Sequence, residues 1–445
     1  MPSTDRLKIT LAQLNPTVGD IAGNVGKLLA ALATARGQGA DLLVTSELFL
    51  AGYPAEDLVL CGDFLDAIER AVETLKPETA SGPALLVGAP WRHEGKVHNA
   101  ALLLDRGELR AVRFKHHLSN DGVFDEPRTF AAGPAPGPIA FRGVRLGVMI
   151  SHDMATPDVT ETLEESGAQL LVVLNGSPFE TDSQDERLQL AIQRVQESGL
   201  ALVAVNQIGG QDELVFDGAS FALDRAVRLR VQALSWQEAI VPTEWVLDDD
   251  ERWAVEPGPM TAPTEGPAAI YQAVMLGLRD FVAKNGFTSV AVDQGSGLVA
   301  TIALDALGAA MLDRNGLLKL STLDKTDLAL GQGTSGGDYA VLKDVYRTKA
   351  MELARWRAGN EPAGGQEATA DQVATDDILA CLIERAMTLD AIVARGHARA
   401  SVTQVWRLLD RGEYKRRQAP LGVKTTRRAF GRDRRYPITN SFQAG

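Results

Sequence analysis

The sequence is poor in the residue types that build disulfides, zinc clusters and membrane spans. Only two of its 445 residues are cysteine, Cys61 and Cys381. They lie far apart in the chain, and their separation fits neither a disulfide framework nor a zinc-ligand pattern. No run of eighteen apolar residues occurs, and the opening MPSTDRLKIT lacks the apolar core of a signal peptide. The sequence therefore predicts no metal site, no membrane association and a cytoplasmic location.

The sequence also lacks an excess of positive charge. The formal net charge is -13, which would repel a phosphate backbone and argues against nucleic-acid binding. The ending differs, because Lys and Arg dominate the segment from Trp406 to Arg435. Basic runs of this kind usually form solvated faces or subunit contacts. We expect this arm to contact a neighbouring subunit, with an anion site as the alternative.

What the sequence does contain is a regular alternation of short apolar runs and helical patterns, from Leu7 to about Asp224. This alternation predicts an α/β fold with buried strands, flanking helices and active groups at strand ends. The segment from Trp236 to Pro267 is rich in acids and proline, which predicts a linker. A second α/β domain follows and opens with the amphipathic helix AAIYQAVMLGLRDFVAKNGF.

Three polar residues follow apolar strand patterns in the first half of the chain. Glu47 comes after DLLVTS, Lys115 precedes two histidines, and Ser151 ends GVMIS. A desolvated carboxylate would have a raised pKa suited to a base, and an ammonium would stabilise an oxyanion. Taken singly, the glutamate fits a cap or ion pair and the lysine fits a surface position.

Their order, glutamate then lysine then nucleophile, resembles the triad of the nitrilase superfamily. Across nearly its whole length the chain resembles the glutamine-dependent NAD+ synthetases, as a divergent and truncated member. The motifs that carry this resemblance are AQLNPTVGDIAGN, SELFLAGYPAEDL, KHHLSNDGVFDEPRTF, LNGSPF, VNQIGGQDELVFDGASFALD, YAVLKDVYRTKAMELARWR and YKRRQAP…RAFGRDRRYPITN.

The resemblance implies a nitrilase-like αββα sandwich followed by a truncated Rossmann-like domain. The expected boundaries are 1–235 for the glutamine amidase domain, 236–267 for the linker and 268–445 for the synthetase-like domain with its basic arm. The family converts deamido-NAD+, ATP and glutamine to NAD+, AMP, diphosphate and glutamate, and it uses magnesium. The resemblance further implies a homo-oligomer formed through the nitrilase-like domain. A complete NAD+ synthetase paralogue is a second possible partner.

The resemblance also assigns roles to individual residues. It implies that Glu47 is the base, that Lys115 stabilises the oxyanion and that Ser151 occupies the position of the catalytic cysteine. The expected substrate-binding residues are Asn120, Phe124 and Ser177. The expected vestigial nucleotide-binding residues are Gly295, Ser296, Gly297, Lys325 and Lys415.

The amidase half departs from the family pattern at its nucleophile. Where the family has Cys-Glu-Asp, this chain has Ser151, His152 and Asp153, and Ala155 replaces an aromatic residue. A serine hydroxyl is far less acidic than a thiol, so a carboxylate base suited to cysteine would not generate a useful alkoxide. His152 is a weak candidate to activate the serine, because adjacent residues of a strand point to opposite faces.

Two further departures lie on the expected glutamine entrance. Ser119 and Asp121 stand where the family's LPNY motif has proline and tyrosine. The carboxylate of Asp121 would place negative charge where glutamine enters.

The ligase half departs from the family pattern as well. The phosphate-binding loop Ser-Gly-Gly-x-Asp-Ser is reduced to Asp293–Gly297, which leaves a short Gly-Ser cap as the simpler interpretation of these residues. The stretches after Ala309 and around QGTSGGDYAVLKDV are contracted. Many tens of residues of the family pattern are therefore absent.

Damage to both sites predicts a catalytically deficient homologue with a binding, regulatory or scaffolding role. An active NAD+ synthetase or an altered amidase in NAD biosynthesis is the alternative. A chain without an evolved role is the third reading.

Overall fold

The computed structural model describes residues 5–181, 183–292, 297–313, 315–332, 336–359 and 367–442. The chain forms two compact units. The first extends from the N-terminus to Pro263, and the second comprises Thr264–Gly445 with two short earlier segments, Phe179–Thr181 and Asp212–Val215. Across the described ranges, no helix is both long and apolar enough to cross a bilayer.

The strands are numbered in chain order. They are β1 Arg6–Gln13, β2 Leu42–Val44, β3 Ala84–His93, β4 Lys96–Asp105, β5 Glu108–Phe114, β6 Ile139–Phe141, β7 Val144–Ile150, β8 Leu170–Asn175, β9 Leu202–Asn206, β10 Ile208–Gln211, β11 Leu214–Asp217, β12 Phe221–Leu223, β13 Leu229–Gln232, β14 Ala239–Leu247, β15 Trp253–Val255, β16 Val290–Ala291 and β17 Leu318–Lys319.

The helices follow the same order. They are α1 Ile21–Gly37, α2 Gly62–Leu75, α3 Pro157–Glu165, α4 Ser183–Ser198, α5 Gly266–Lys284, α6 Gly297–Leu307, α7 Lys325–Leu330, α8 Arg347–Arg357, α9 Ala370–Ile383, α10 Leu389–Ala394, α11 Arg399–Arg411 and α12 Glu413–Arg416.

The first unit is built on two packed sheets. One sheet has the strand order β15-β14-β1-β2-β3-β4-β5, and the other has the order β13-β12-β9-β8-β7-β6. Their facing sides share one buried apolar cluster, to which Ile9 and Leu86 contribute from the first sheet and Val148 and Ile150 from the second. Met149 points to the opposite face, where it packs with residues of α3 and α4. This alternation along β7 follows from the two-residue period of a strand and confirms the αββα sandwich.

The predicted linker at 236–267 differs from what the structure shows. Residues Ala239–Leu247 form β14, which pairs antiparallel with all of β1, and Trp253–Val255 form β15. The physical reason is a two-residue alternation, in which Val241, Thr243 and Trp245 are buried while Pro242 and Glu244 between them are exposed. Proline has no N–H to donate to a neighbouring strand. Pro242 is tolerated in β14 because the neighbouring strand β15 pairs only with Trp245–Leu247 and does not reach the proline.

The described part of the second unit is mainly helical. Its parallel sheet consists of β16 and β17, with two residues each, in line with the predicted contraction of a Rossmann-like domain. The apolar side chains of α9 and α11 form a core with those of α7, among them Ile378, Trp406 and Ala329.

A buried lysine links three segments of this second unit. Lys325 is fully buried, and its Nζ lies 2.7 Å from Asp344 Oδ1 and 2.6 Å from Glu384 Oε1. It also donates hydrogen bonds to Thr426 Oγ1 at 2.6 Å and to the Arg428 carbonyl at 3.0 Å. An ammonium shielded from water requires such partners, because an unpaired buried charge is strongly destabilising.

The basic ending contributes buried side chains to this unit's own fold, and its expected role as a subunit contact stays a prediction. Arg416 is buried and donates to the Ala329 carbonyl at 3.0 Å and to Glu413 Oε2 at 2.9 Å. Lys424 is also buried and lies 3.6 Å from Asp433 Oδ2. The buried cations of this segment are therefore neutralised by their own chain.

The two lysines assigned to nucleotide binding should differ in their effect on stability. Lys325→Met leaves Asp344 and Glu384 without their shared cation, and we expect it to lower the free energy of unfolding by about 3–5 kcal/mol. The control Lys415→Met alters an exposed lysine and should cost under about 1 kcal/mol. Chemical denaturation measures both, and equal small losses would contradict a structural role for Lys325.

Candidate active site

The first site residue is held at the end of a strand by close backbone packing. Glu47 follows β2, is fully buried, and donates its N–H to the Asn175 carbonyl at 3.3 Å. Gly88 of β3 makes this approach possible, because a Cβ there would lie 2.4 Å from the Leu48 nitrogen and 2.5 Å from the Ser46 oxygen. The glutamate is thereby fixed at the end of β8 as well as at the end of β2.

Lys115 lies between two buried carboxylates. Its Nζ is 2.8 Å from Glu47 Oε1 and 2.8 Å from Glu126 Oε2. Asn99 of β4 donates from Nδ2 to Glu47 Oε1 at 2.7 Å and to Glu126 Oε1 at 3.1 Å. All four side chains are buried, so the structure confirms neither a surface lysine nor a simple strand cap.

The protonation of this network is set by burial and by the opposed charges. Burial raises the pKa of Glu47 from 4.5 to about 7, opposed by the nearby Lys115 and assisted by the charge of Glu126. Burial alone would lower the pKa of Lys115, but the two carboxylates outweigh it and raise that pKa above its usual value. The lysine is therefore a permanent cation, and the glutamate is a carboxylate able to accept a proton near neutral pH.

One oxygen of Glu47 has no partner. Its Oε2 atom is buried and, within the described part of the chain, makes no hydrogen bond. A Cβ at position 176 would lie 2.7 Å from this oxygen, so the close packing of the Gly176 backbone against it requires glycine. The Tyr53 ring borders the same place and packs 5.8 Å from the ring of Phe124. A buried acceptor of this kind is suited to a ligand N–H or to a transferred proton.

Ser151 lies at the end of β7 in a strained backbone conformation. Its φ is 45°, which is unusual for a residue with a side chain, and it begins a tight 3-10 turn, Ser151–Met154. Ile150, the last residue of β7, pairs with Leu174 of the neighbouring strand β8. Ser151 therefore lies beside the end of β8 at Asn175. The ends of β2, β7 and β8 thus meet at one edge.

Asp153 ties the serine turn to the lysine segment. Its Oδ1 accepts the backbone N–H groups of His116 at 2.9 Å and His117 at 2.8 Å, directly after Lys115. Its Oδ2 accepts the Ile150 N–H at 3.0 Å. Three backbone bonds to one buried carboxylate fix the position of Ser151 relative to Lys115.

The predicted substrate-binding residues occupy different environments. Asn120 is exposed, and Phe124 is half-buried. Ser177, also half-buried, donates its N–H to Asn206 Oδ1 at 3.0 Å. Of the two departures on the entrance, Ser119 is buried and donates its N–H to Glu126 Oε2 at 2.7 Å, whereas Asp121 is exposed.

Sequence reasoning missed Glu126 and Asn99. The available signal for Glu126 was its place in the quoted motif KHHLSNDGVFDEPRTF, eleven residues after Lys115. Nothing in the sequence indicates that Asn99, in the middle of a buried strand pattern, faces the two carboxylates.

The structure does not bring the predicted nucleotide-binding residues together. Gly295 and Ser296 lie outside the described residues, and Gly297 begins α6. Lys325 is fully buried between two carboxylates, so its assignment to a nucleotide differs from what the structure shows. Lys415 is exposed and donates to the Gly331 carbonyl at 2.6 Å.

Comparisons with known proteins agree with this architecture. The carbon-nitrogen hydrolase family matches residues 8–254. The glutamine-dependent NAD(+) synthetase of Rhodobacter capsulatus is 34% identical over 549 aligned positions, which cover 99% of each chain. Since this chain has only 445 residues, the relative carries internal sequence that this chain lacks.

Solved structures give the same result. A glutamine-dependent NAD+ synthetase from Acinetobacter baumannii, in complex with ADP, matches with a TM-score of 0.76 and 29% identity over 99% of this chain and 100% of its own. One from Cytophaga hutchinsonii, 17% identical, shares the fold with a TM-score of 0.79 over 98% of each chain. With this agreement in sequence and fold along nearly its whole length, the chain belongs to the glutamine-dependent NAD+ synthetase family.

Proposed function

We propose that this protein is a glutamine-dependent NAD+ synthetase homologue that is deficient in catalysis and has a binding, regulatory or scaffolding role. The observation that carries the proposal is a serine, Ser151, where the family resemblance places the catalytic cysteine, at the same edge as the buried pair of Glu47 and Lys115. Relatives named as glutamine-dependent NAD(+) synthetases supply the reaction class. In that class an amidase releases ammonia from glutamine, and a ligase uses ATP and magnesium to amidate deamido-NAD+.

The chemistry of the serine supports the amidase deficiency. A base with a pKa near 7, as for Glu47, matches a thiol far better than an alcohol, because the hydroxyl gives up its proton much less readily. His152 offers little rescue. It follows Ser151 within a 3-10 turn rather than a strand, and successive residues there are directed about 120° apart around the axis.

The second unit supports a ligase deficiency. Its described parallel sheet has two strands of two residues, whereas a Rossmann-like nucleotide site needs several strand ends and helix N-termini around a crevice. Lys325 is neutralised inside the unit and has no exposed surface for a phosphate.

The unpartnered carboxylate oxygen supports a binding role. Glu47 Oε2 is buried and makes no hydrogen bond within the described part of the chain, and Lys115 supplies a fixed positive charge beside the same carboxylate. A primary carboxamide, with N–H donors and a carbonyl acceptor, matches this pair of groups. We therefore assign glutamine as the ligand class of the pocket, with Asn120, Phe124 and Ser177 as candidate contacts.

Two partners fit a regulatory role. One is a second copy of this chain, joined through the sandwich unit, and the other is a complete NAD+ synthetase. In either complex a pocket that binds glutamine without consuming it would report the level of the substrate.

The second candidate function is an active synthetase or altered amidase. The intact ion network of Glu47, Lys115 and Glu126 favours it, since that network is the part of the site that a working hydrolase needs. The experiments below distinguish the two functions.

The amidase deficiency predicts that the unaltered protein releases no glutamate from glutamine above background. Ser151→Cys should restore only a small fraction of the turnover of an intact family member, since Asp121, His152 and Ala155 also depart from the pattern. A coupled glutamate assay measures this, with Ser166→Cys as the control for a thiol placed elsewhere. Adding Glu47→Gln should abolish any restored activity, and robust turnover by the unaltered protein would refute the deficiency.

The ligase deficiency predicts no NAD+ from deamido-NAD+, ATP, magnesium and ammonia. Ammonia bypasses the amidase, so this assay tests the second unit by itself. Glutamine binding, measured by calorimetry on the same sample, should persist. NAD+ formation would establish the second candidate function instead.

The raised pKa of Glu47 predicts a pH-dependent stability. Between about pH 4.5 and 7 the folded chain binds a proton at Glu47 that the unfolded chain has released, so this group's stabilisation is complete below that window and is lost as the pH rises through it. The stability of the unaltered protein relative to Glu47→Gln should fall by at most about 3 kcal/mol across the window. Denaturation at several pH values measures this difference. The control Glu244→Gln, the same change at an exposed site, should show no such trend.

A further inference from the structure

Three potential metal ligands converge beside the candidate active site. His116, His117 and Asp158 each offer one ligand atom, and these atoms all lie within 4.8 Å of one another. The histidines follow Lys115 directly, and the aspartate is the second residue of α3. None of the three belongs to the amidase network described above.

The orientation of His116 is fixed by its other ring nitrogen. His116 Nδ1 lies 2.8 Å from the Gly133 carbonyl oxygen. A carbonyl only accepts, so Nδ1 carries the proton, and the lone pair of the neutral ring is on Nε2. A backbone carbonyl that holds one imidazole nitrogen while the other is free to coordinate is the usual outer support of a metal-binding histidine.

Asp158 is held in a similar way. Its Oδ1 accepts a hydrogen bond from Thr156 Oγ1 at 2.6 Å, and its Oδ2 lies 2.7 Å from His117 Nε2. One oxygen of Asp158 is therefore anchored, and the other is directed at His117.

The backbone that carries both histidines is also fixed. The N–H groups of His116 and His117 donate to the single Oδ1 atom of the buried Asp153. The ring centroids lie 4.7 Å apart, with the planes at 73°. Two imidazoles on a clamped turn lose little freedom when a cation binds, which favours affinity.

We propose that His116, His117 and Asp158 form a binding site for a divalent transition cation of the zinc class. Two imidazole nitrogens and one carboxylate oxygen are the donor set of a three-ligand zinc site, which leaves a fourth position for water. Magnesium and calcium prefer oxygen donors throughout, so the histidines select against them. Tetrahedral zinc places its ligand atoms about 3.3 Å apart. Asp158 Oδ2 and His117 Nε2, which lie 2.7 Å apart, must therefore separate slightly when the cation enters. The exposed Asp158 side chain can make this adjustment.

A second His–Asp pair in the chain shows what a simple ion pair looks like. His397 Nε2 lies 2.7 Å from Asp377 Oδ2, the same separation as at the proposed site. The carboxylate there is flanked by Arg385 at 3.4 Å and by Arg395 at 3.8 Å. Two guanidinium groups would repel a cation, so this pair serves as an internal control.

The proposal goes beyond the proposed function and does not depend on it, because none of its ligands takes part in glutamine chemistry. It also differs from the sequence-based expectation of no metal site. That expectation rested on cysteine spacing, which carries no information about histidine and aspartate ligands from separate segments.

Calorimetric titration of zinc into the untagged full-length chain tests the site. We expect one high-affinity zinc per chain. Each of His116→Gln, His117→Gln and Asp158→Asn should weaken binding by at least about tenfold. His397→Gln should bind zinc as the unaltered protein does.

Cobalt(II) absorption gives a second readout on the same proteins. Bound cobalt should show the intense visible bands of four-coordinate geometry in the unaltered protein and in His397→Gln, but not in the three ligand variants. Thr156→Val, which releases Asp158 Oδ1 without removing a ligand, should weaken zinc binding by about tenfold. Absence of zinc binding, or binding that the three ligand variants leave unchanged, would overturn the proposal.

Discussion

A buried ammonium between two buried carboxylates is the constraint on which the first unit depends. Lys115, Glu47 and Glu126 have almost no contact with water, and charges in that position are tolerated only when they are paired and hydrogen-bonded. The three come from separate segments of the chain, so their pairing requires that the ends of β2 and β5 and the loop after β5 meet. Asn99 completes the network from β4. Ion pairing, as well as apolar packing, therefore holds together the edge of the sandwich that carries the site.

This constraint bears differently on the buried charges and on Ser151. Removing one member of a buried ion pair leaves an uncompensated charge and costs about 3–5 kcal/mol, so loss of Lys115, which pairs with both carboxylates, would endanger the fold. Ser151 lies outside the ion network, and a serine differs from a cysteine by one atom. A substitution at this position therefore leaves the buried charges and their pairing intact. The Asp153 clamp, which holds the serine turn beside the lysine, is a structural feature for the same reason.

The second unit shows the same principle applied to a reduced core. The parallel sheet in its described residues has two short strands, so the unit relies on helix packing and on charges paired inside the chain. Lys325 connects α7 with Glu384 after α9 and with Thr426 of the basic ending. The retention of the basic ending beside a contracted ligase core thus has a local cause, because its buried cations and their partners hold the remaining helices together.

By itself the sequence predicted an α/β fold from its apolar periodicity, and its motifs carried the resemblance that implied the αββα sandwich and the family, because both signals are local properties of a chain. It misjudged residues 239–255, where prolines and acids conceal a two-residue alternation whose meaning depends on pairing with β1. It also could not assign Asn99, Glu126 or the cluster of His116, His117 and Asp158. Only the tertiary structure decided these, because burial, charge pairing and ligand geometry arise between segments that are distant in sequence and become neighbours only when the sheets pack.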